Sequence, residues 1–243
     1  MTHLTGKGGS LTWLGHSTFL VGTPAGQTLL IDPWVDQNPV CPDAFKNLSH
    51  LDGMLITHGH FDHIADAVPI ANRTKCPVIG IFELCHWLNR QGVTNTNAMN
   101  KGGTTTLAGV SITMVGADHS CGILEADGTI SYGGEAVGYI LRFDNGFSLY
   151  HAGDTNVFGD MALIAELYRP SLALLPIGGH FVMGPVEAAK AVELLQVKQV
   201  IPMHYGTFPV LAGTPDALAQ RVQPLGCTVI TPAIGQTIQF AST

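Results

Sequence analysis

The segment that most constrains this chain is residues 57–63, where four side chains of the metal-ligand type fall within six positions: His58, His60, Asp62 and His63. The segment directly follows residues 51–56, whose apolar character predicts a buried strand that runs into a turn. In an extended turn, His58 and His60 project to the same side, so their imidazoles can bind one cation. Asp62 and His63 fall at the expected start of a helix, which would aim them at a second point. The alternative is a polar turn with imidazoles bonded to the backbone, but this spacing is far more restrictive than a lone histidine.

Three later segments repeat the order of apolar strand followed by ligand-type residue. They contain His119, Asp154 and His204. Each is weak evidence alone, and Gly153-Asp154-Thr155 is also an ordinary turn. Residues at the same end of the strands of an α/β scaffold lie close together, so we expect the four segments to build one site.

Three further residues are candidates for supporting roles. Asp32 ends an apolar run before a proline, where it can accept a hydrogen bond from a ligand histidine or cap the following turn. His16 interrupts residues 11–21, which we interpret as one strand, and is either a satisfied core side chain or part of the pocket. His180 follows two glycines at a strand end with little core to fill, which favours a pocket role.

Strands and helices alternate along the 243 residues, which predicts a single α/β domain over residues 1–243. Residues 122–138 are rich in glycine and lack periodicity. We interpret them as an irregular loop, which either covers the substrate or is a surface loop without function.

Composition limits the classes of partner. The net charge of −7 and the scattered 11 Lys+Arg residues argue against nucleic-acid binding and favour a small-molecule substrate. The start lacks the apolar run of a secretory signal, and no stretch is long enough to cross a bilayer, so we expect a soluble cytoplasmic protein without a membrane partner. The five cysteines show no paired spacing and are expected to be reduced thiols. The sequence leaves open whether the chain forms a homo-oligomer.

The motifs resemble those of the metallo-β-lactamase superfamily over nearly the whole chain. Residues 57–63 look like its signature, and His119, Asp154 and His204 follow in the expected order. Residues 13–17, 151–155, 176–181 and 202–206 more narrowly resemble the uncharacterised metal-dependent hydrolases related to the ascorbate-phosphate lactonase branch. The resemblance implies an α/β fold of the four-layer αββα sandwich type, with two similar halves and the metals at one edge between the sheets.

The same resemblance assigns the metal ligands. His58, His60 and His119 would hold the first metal ion, and Asp62, His63 and His204 the second, while Asp154 would bridge the two. The chain has Asp154 where true β-lactamases have a cysteine ligand, and it lacks the inserted domain of the nuclease members. Hydrolysis of antibiotics or nucleic acids is therefore not expected.

The leading hypothesis is hydrolysis of a small, anionic substrate, such as a lactone, phosphodiester or other ester, by a hydroxide that bridges two divalent metal ions. Asp62 and Asp154 would orient the nucleophile and pass a proton, while His180 and His16 would bind the anionic substrate or act as acid. Zinc is the first expectation, and manganese, iron or nickel also suit such a site. The alternatives are a di-iron oxidoreductase and a non-catalytic metal-binding or regulatory protein.

Overall fold

The computed structural model describes residues 8–240, which form two seven-stranded sheets, a two-stranded hairpin and six α-helices. The strands are β1 Ser10–Trp13, β2 Phe19–Gly22, β3 Thr28–Ile31, β4 Gly53–Leu55, β5 Val78–Ile81, β6 Thr96–Met99, β7 Thr104–Leu107, β8 Val110–Gly116, β9 Gly122–Leu124, β10 Ile130–Tyr132, β11 Val137–Arg142, β12 Ser148–His151, β13 Leu172–Pro176, β14 Gln199–Met203, β15 Thr228–Val229 and β16 Thr237–Gln239. The helices are α1 Phe61–Ile64, α2 Ala67–Thr74, α3 Phe82–Arg90, α4 Met161–Tyr168, α5 Pro185–Leu195 and α6 Pro215–Val222, with short 3-10 turns at Asp43–Phe45 and Gln223–Leu225. None of these helices has the length and apolar character needed to span a membrane.

The first sheet has the strand order β16-β1-β2-β3-β4-β5-β6, with β3 to β6 parallel. The prediction of one strand over residues 11–21 is wrong, because β1 and β2 are separate antiparallel strands. The chain reverses at Gly15, with φ +100°, and His16, with φ 54°. Glycine adopts positive φ without the steric cost that other residues meet, which is why the reversal falls here. The sharp turn brings His16 to the end of the sheet.

The second sheet has the order β15-β14-β13-β12-β11-β8-β7, with β12 to β15 parallel and β7, β8, β11 and β12 antiparallel. Alternation along β13 shows how the sheet divides two cores. Leu172 and Leu174 belong to the core between the sheets, whereas Ala173 and Leu175 pack with the buried faces of α4, α5 and α6. On the first sheet, α3 packs on β5 and β6. The result is the expected α/β sandwich of the αββα type.

The irregular loop predicted for residues 122–138 is wrong over much of its length, because β9 and β10 pair as an antiparallel hairpin. Glu125, between the two strands, accepts hydrogen bonds from Trp87 Nε1 at 2.7 Å and from Ser131 Oγ at 2.6 Å. Trp87 lies on α3, so the hairpin is tied to the body of the first sheet. Such a distant contact leaves no periodic signal in the sequence.

Candidate metal centre

Side chains that follow strand ends in both sheets meet around one carboxylate oxygen. His58 follows β4 of the first sheet, whereas His119, Asp154 and His204 follow β8, β12 and β14 of the second. Asp154 Oδ2 lies 2.9 Å from His204 Nε2, 3.4 Å from His63 Nε2, 3.8 Å from His119 Nε2 and 3.9 Å from His58 Nε2. The folded chain therefore gathers residues that lie up to 146 positions apart in sequence.

Three imidazoles form a group on one side of Asp154. His58 Nε2 lies 3.0 Å from His60 Nδ1, and His119 Nε2 lies 3.3 Å from the same His60 nitrogen. The remaining His60 nitrogen, Nε2, lies 3.2 Å from Ser120 Oγ and can donate to it. Ring nitrogens of three histidines that converge in this way are a common donor set for a divalent transition metal.

A second group also borders Asp154. His204 Nε2 is 3.7 Å from Asp62 Oδ2, and His63 Nε2 points to Asp154. Across residues 8–240, the overlapping groups whose ligand atoms all lie within 4.8 Å of one another are His58, His60 and His119; His58, His63 and Asp154; and His16, Asp62, His63 and His204. All seven residues predicted as metal ligands are brought together.

Asp32 and Thr57 determine which ring nitrogens of His63 and His58 are free to bind a cation. His63 Nδ1 donates to Asp32 Oδ2 at 2.7 Å, so the predicted contact between Asp32 and a candidate ligand histidine is confirmed. Thr57 Oγ1 donates to Asp32 Oδ2 at 2.8 Å, which leaves its oxygen to accept from His58 Nδ1 at 3.0 Å. Both rings thus keep a proton on Nδ1, so that Nε2 is the nitrogen available to a cation.

Buried polar atoms without partners show that these residues fit a cation. Within the described chain, His63 Nε2 and Asp154 Oδ1 are buried at this centre and lack a hydrogen bond. A buried polar atom without a partner is costly, and lone pairs that face one another repel. Divalent cations between these nitrogen and oxygen donors would relieve both penalties, and the donor set suits zinc.

Two opposing effects set the pKa values of the histidines in the site: burial disfavours the charged ring, and a nearby carboxylate favours it. Burial lowers the pKa of His58, His60 and His119. Burial also acts to lower the pKa of His63 and His204, but the Asp154 carboxylate outweighs it, which raises the pKa of His63 well above its usual value and that of His204 to about 9.

The same two effects act on the pKa values of the two carboxylates, but with the opposite signs. Burial acts to raise the pKa of Asp154 and Asp62, but the neighbouring histidines hold both well below the usual value. Without a cation, the site therefore keeps its carboxylates ionised and favours protonation of His63 and His204. A bound cation replaces those protons.

The backbone is left-handed at several residues of the site. Positive φ occurs at His16 with 54°, Asp32 with 52°, His180 with 59° and His204 with 55°. Non-glycine residues seldom adopt this conformation, and it is found at functional sites that the surrounding structure holds in place. One such restraint is the backbone hydrogen bond from His204 N to His16 O at 3.1 Å.

The two other predicted site residues, His16 and His180, lie in different surroundings. His16 is fully buried, and its Nε2 lies 2.9 Å from Asp62 Oδ2 while its Nδ1 lies 3.0 Å from Thr207 Oγ1. Burial lowers the pKa of His16 to about 4, which leaves the ring neutral at pH 7. His180 is exposed and stands edge-on to Phe181, with 4.4 Å between ring centroids.

A cleft of about 320 Å³ opens onto the centre. Its lining includes His60, Asp62, His119, Asp154 and His204, together with Phe61, Ser120, Gly122, Leu124 and Phe181. Neither His16 nor His180 is among the lining residues. The apolar members were not predicted from the sequence, because an isolated exposed phenylalanine or leucine cannot be told from a core residue without the fold.

Comparison with known proteins identifies the family. A family profile described as the beta-lactamase superfamily domain matches residues 27–205. This chain belongs to the metallo-β-lactamase superfamily. It is 55% identical to a UPF0173 metal-dependent hydrolase of Koribacter versatilis over 217 residues, covering 89% of this chain and 93% of the relative. A UPF0173 metal-dependent hydrolase of Solibacter usitatus is 50% identical over 230 residues, covering 95% of this chain and 99% of the relative.

A solved structure of the same superfamily fold agrees with this assignment. Igni18, a metallo hydrolase from the archaeon Ignicoccus hospitalis, superposes with a TM-score of 0.83 at 37% identity, covering 97% of this chain and 99% of that one. The chain is thus a metal-dependent hydrolase of the metallo-β-lactamase superfamily. The narrower likeness to the ascorbate-phosphate lactonase branch stays a prediction.

Proposed function

We propose that the chain hydrolyses a small ester-type substrate, such as a lactone or other ester, with two divalent metal ions bound around Asp154. The observation that carries the proposal is the position of Asp154 Oδ2, within 3.9 Å of a ring nitrogen of His58, His63, His119 and His204. His58, His60 and His119 would hold one ion and Asp62, His63 and His204 the other. An oxygen that reaches both groups is suited to bridge two cations.

The bound ions would lower the pKa of a shared water, so that hydroxide is available near neutral pH, and would polarise the oxygen of the scissile bond. Zinc is the first choice for these donors, with manganese, iron and nickel as alternatives. The chain's own residues position the reactants. Asp62 and Asp154 both line the cleft, where a carboxylate oxygen can orient the nucleophile and take up its proton.

His16 is better suited to position Asp62 than to act as an acid. The neutral ring donates from Nε2 to Asp62 Oδ2, and Nδ1 then accepts a hydrogen bond from the Thr207 hydroxyl. His16 does not line the cleft, so it would act through Asp62. A role for His180 in binding the substrate stays a prediction, since its neighbour Phe181 is the residue that lines the cleft.

A small molecule fits the cleft better than a macromolecule does. A volume of about 320 Å³ is at the lower end of the range for small-molecule sites. The hydrolase names of relatives at 50% identity and above favour hydrolysis over the di-iron oxidoreductase and the non-catalytic alternatives.

Restoration of activity by metal tests the proposed function. The protein is stripped with a chelator and assayed against lactones, carboxylic esters, thioesters, phosphodiesters and amides before and after zinc, manganese or iron is added. We expect hydrolysis of an ester or lactone to appear only with metal. His60→Ala should lose this activity by at least 100-fold, whereas His50→Ala, at an exposed histidine outside the site, should keep it. No hydrolysis of any member of the panel by the metal-loaded protein would overturn the proposal.

A further inference from the structure

Three exposed apolar side chains line the cleft above the metal centre. The exposed fraction is 57% for Phe61, 66% for Leu124 and 58% for Phe181. They come from three separate parts of the chain: the start of α1, the end of β9 and the loop after β13. Exposed apolar groups that gather at one concave site commonly mark a ligand-binding surface.

Two of these side chains are supported by contacts behind them. Phe61 stands edge-on to Trp34, with 5.9 Å between ring centroids, and Trp34 stacks on Phe208 at 5.9 Å. Leu124 ends the strand next to Glu125, which Trp87 ties to α3. This part of the apolar wall is therefore already formed without a ligand, so a ligand that contacts it has little ordering to impose.

The charge of the cleft also favours an apolar ligand. Among residues 8–240, no lysine or arginine lines it. A negative group on the substrate at a distance from the metal ions would meet apolar carbon and no counter-charge, which is unfavourable. This argues against the anionic substrate expected from the sequence.

We propose that the substrate is a neutral ester or lactone whose apolar acyl or aryl group lies between Phe61, Leu124 and Phe181. This inference rests on the proposed hydrolytic function. In the reaction, the oxygen of water bonds to the acyl carbon, the acyl C–O bond breaks, and the proton from water passes to the departing alcohol oxygen. The second proton of the water is released to solvent as the product acid ionises.

A series of p-nitrophenyl esters tests the substrate class on the metal-loaded protein. We expect kcat/KM to rise about tenfold or more from acetate to hexanoate, because each buried methylene favours binding. The anionic mono-p-nitrophenyl glutarate has a similar length to the hexanoate ester and should be at least tenfold poorer. Binding of the neutral 4-phenylbutanamide, measured by calorimetry, gives a readout that does not depend on turnover, and its affinity should exceed that of acetamide.

Substitutions on the wall locate the effect. In Leu124→Ser and Phe181→Ser, the ratio of hexanoate to acetate kcat/KM should fall below about threefold, and 4-phenylbutanamide binding should weaken by at least fivefold. Phe82→Ser is the matched control, because Phe82 is 60% exposed and does not line this cleft. It should leave the ratio and the binding unchanged.

The outcomes separate the two proposals. A flat chain-length series, or a preference for the glutarate ester, with acetate still hydrolysed would overturn the inference and leave the proposed function standing. The inference would also be overturned if Leu124→Ser converted a dimer to a monomer, since the exposed wall would then be an interface. No hydrolysis of any ester or lactone would overturn the proposed function itself.

Discussion

Asp32→Asn tests how far the hydrogen bond to His63 supports metal binding. The amide can present its N–H₂ to His63 Nδ1, which would favour the wrong tautomer and withdraw the Nε2 lone pair from the site. We expect the affinity for one of the two metal ions to fall by about 10- to 100-fold, measured by competition with a chromogenic chelator. Asp43→Asn, at an exposed aspartate paired with Lys46, is the control and should match the wild type. Equal affinity in both variants would show that Asp32 does not support metal binding.

Individual residues of the site were predictable where the ligands are close together in sequence. The four ligands in residues 57–63 are recognisable from sequence alone, and Asp32 was identifiable because it ends an apolar run. His16 was ambiguous, because its place depends on a left-handed turn inside what reads as one strand. The evidence for Asp154 was weak when taken alone, because Gly-Asp-Thr is an ordinary turn and only the fold brings it to the histidines.

His16→Ala tests the support of Asp62 from the other side. The substitution removes the 2.9 Å contact to Asp62 Oδ2 and leaves a cavity next to His204. We expect kcat to fall by about tenfold or more with the wild-type pH dependence preserved, because the buried, neutral ring positions a carboxylate and does not itself exchange a proton with the substrate. Loss of a limb of the pH–rate profile would instead assign His16 an acid–base role.

At the scale of elements, periodicity is regular in β7–β8, β11–β12, α5 and α6, whose order agrees with the predicted alternation of strands and helices. It failed at the β1–β2 reversal and at the β9–β10 hairpin. Both depend on contacts with distant elements, such as that between Trp87 and Glu125. The same distant packing brings Leu124 to the cleft, which is why the substrate wall could not be read from the sequence.

Gly178→Ala tests the close approach between the loop after β13 and the loop after β14. A Cβ at this position would meet the His204 carbonyl oxygen and come within 3.1 Å of Leu211 Cβ. We expect a loss of about 1–3 kcal/mol in the free energy of unfolding and a Tm lower by about 3–10 °C, measured by calorimetry. Gly159→Ala is the control, since a Cβ there has no atom within 4 Å. A wild-type Tm for Gly178→Ala would show that the loop moves aside without cost.

At the scale of the whole molecule, the fold buries all five cysteines. Each is free and buried. Burial raises the pKa of Cys41, Cys121 and Cys227 to about 11 and that of Cys85 to about 12. The thiolate is the reactive form, so the folded chain should protect its thiols.

Thiol titration with a chromogenic disulfide at pH 8 tests this protection. We expect fewer than one thiol to react within minutes in the native protein and all five to react in guanidinium chloride. Unfolded cysteines titrate near pH 9 and the folded ones above it, so the unfolded chain loses protons first. The contribution of these thiols to the stability of the folded state is therefore fully present below about pH 9 and declines as the pH rises towards 11. Rapid reaction of a thiol in the native state would contradict the burial.

The metal content of two proteins, the wild type and Asp154→Asn, is the most direct test of whether one carboxylate joins two cation sites. It is measured by plasma mass spectrometry. After loading with zinc and gel filtration, the wild type should hold roughly two ions per chain and Asp154→Asn about one or fewer. A wild-type chain with one ion or none, or an Asp154→Asn chain that still holds two, would contradict the binuclear centre.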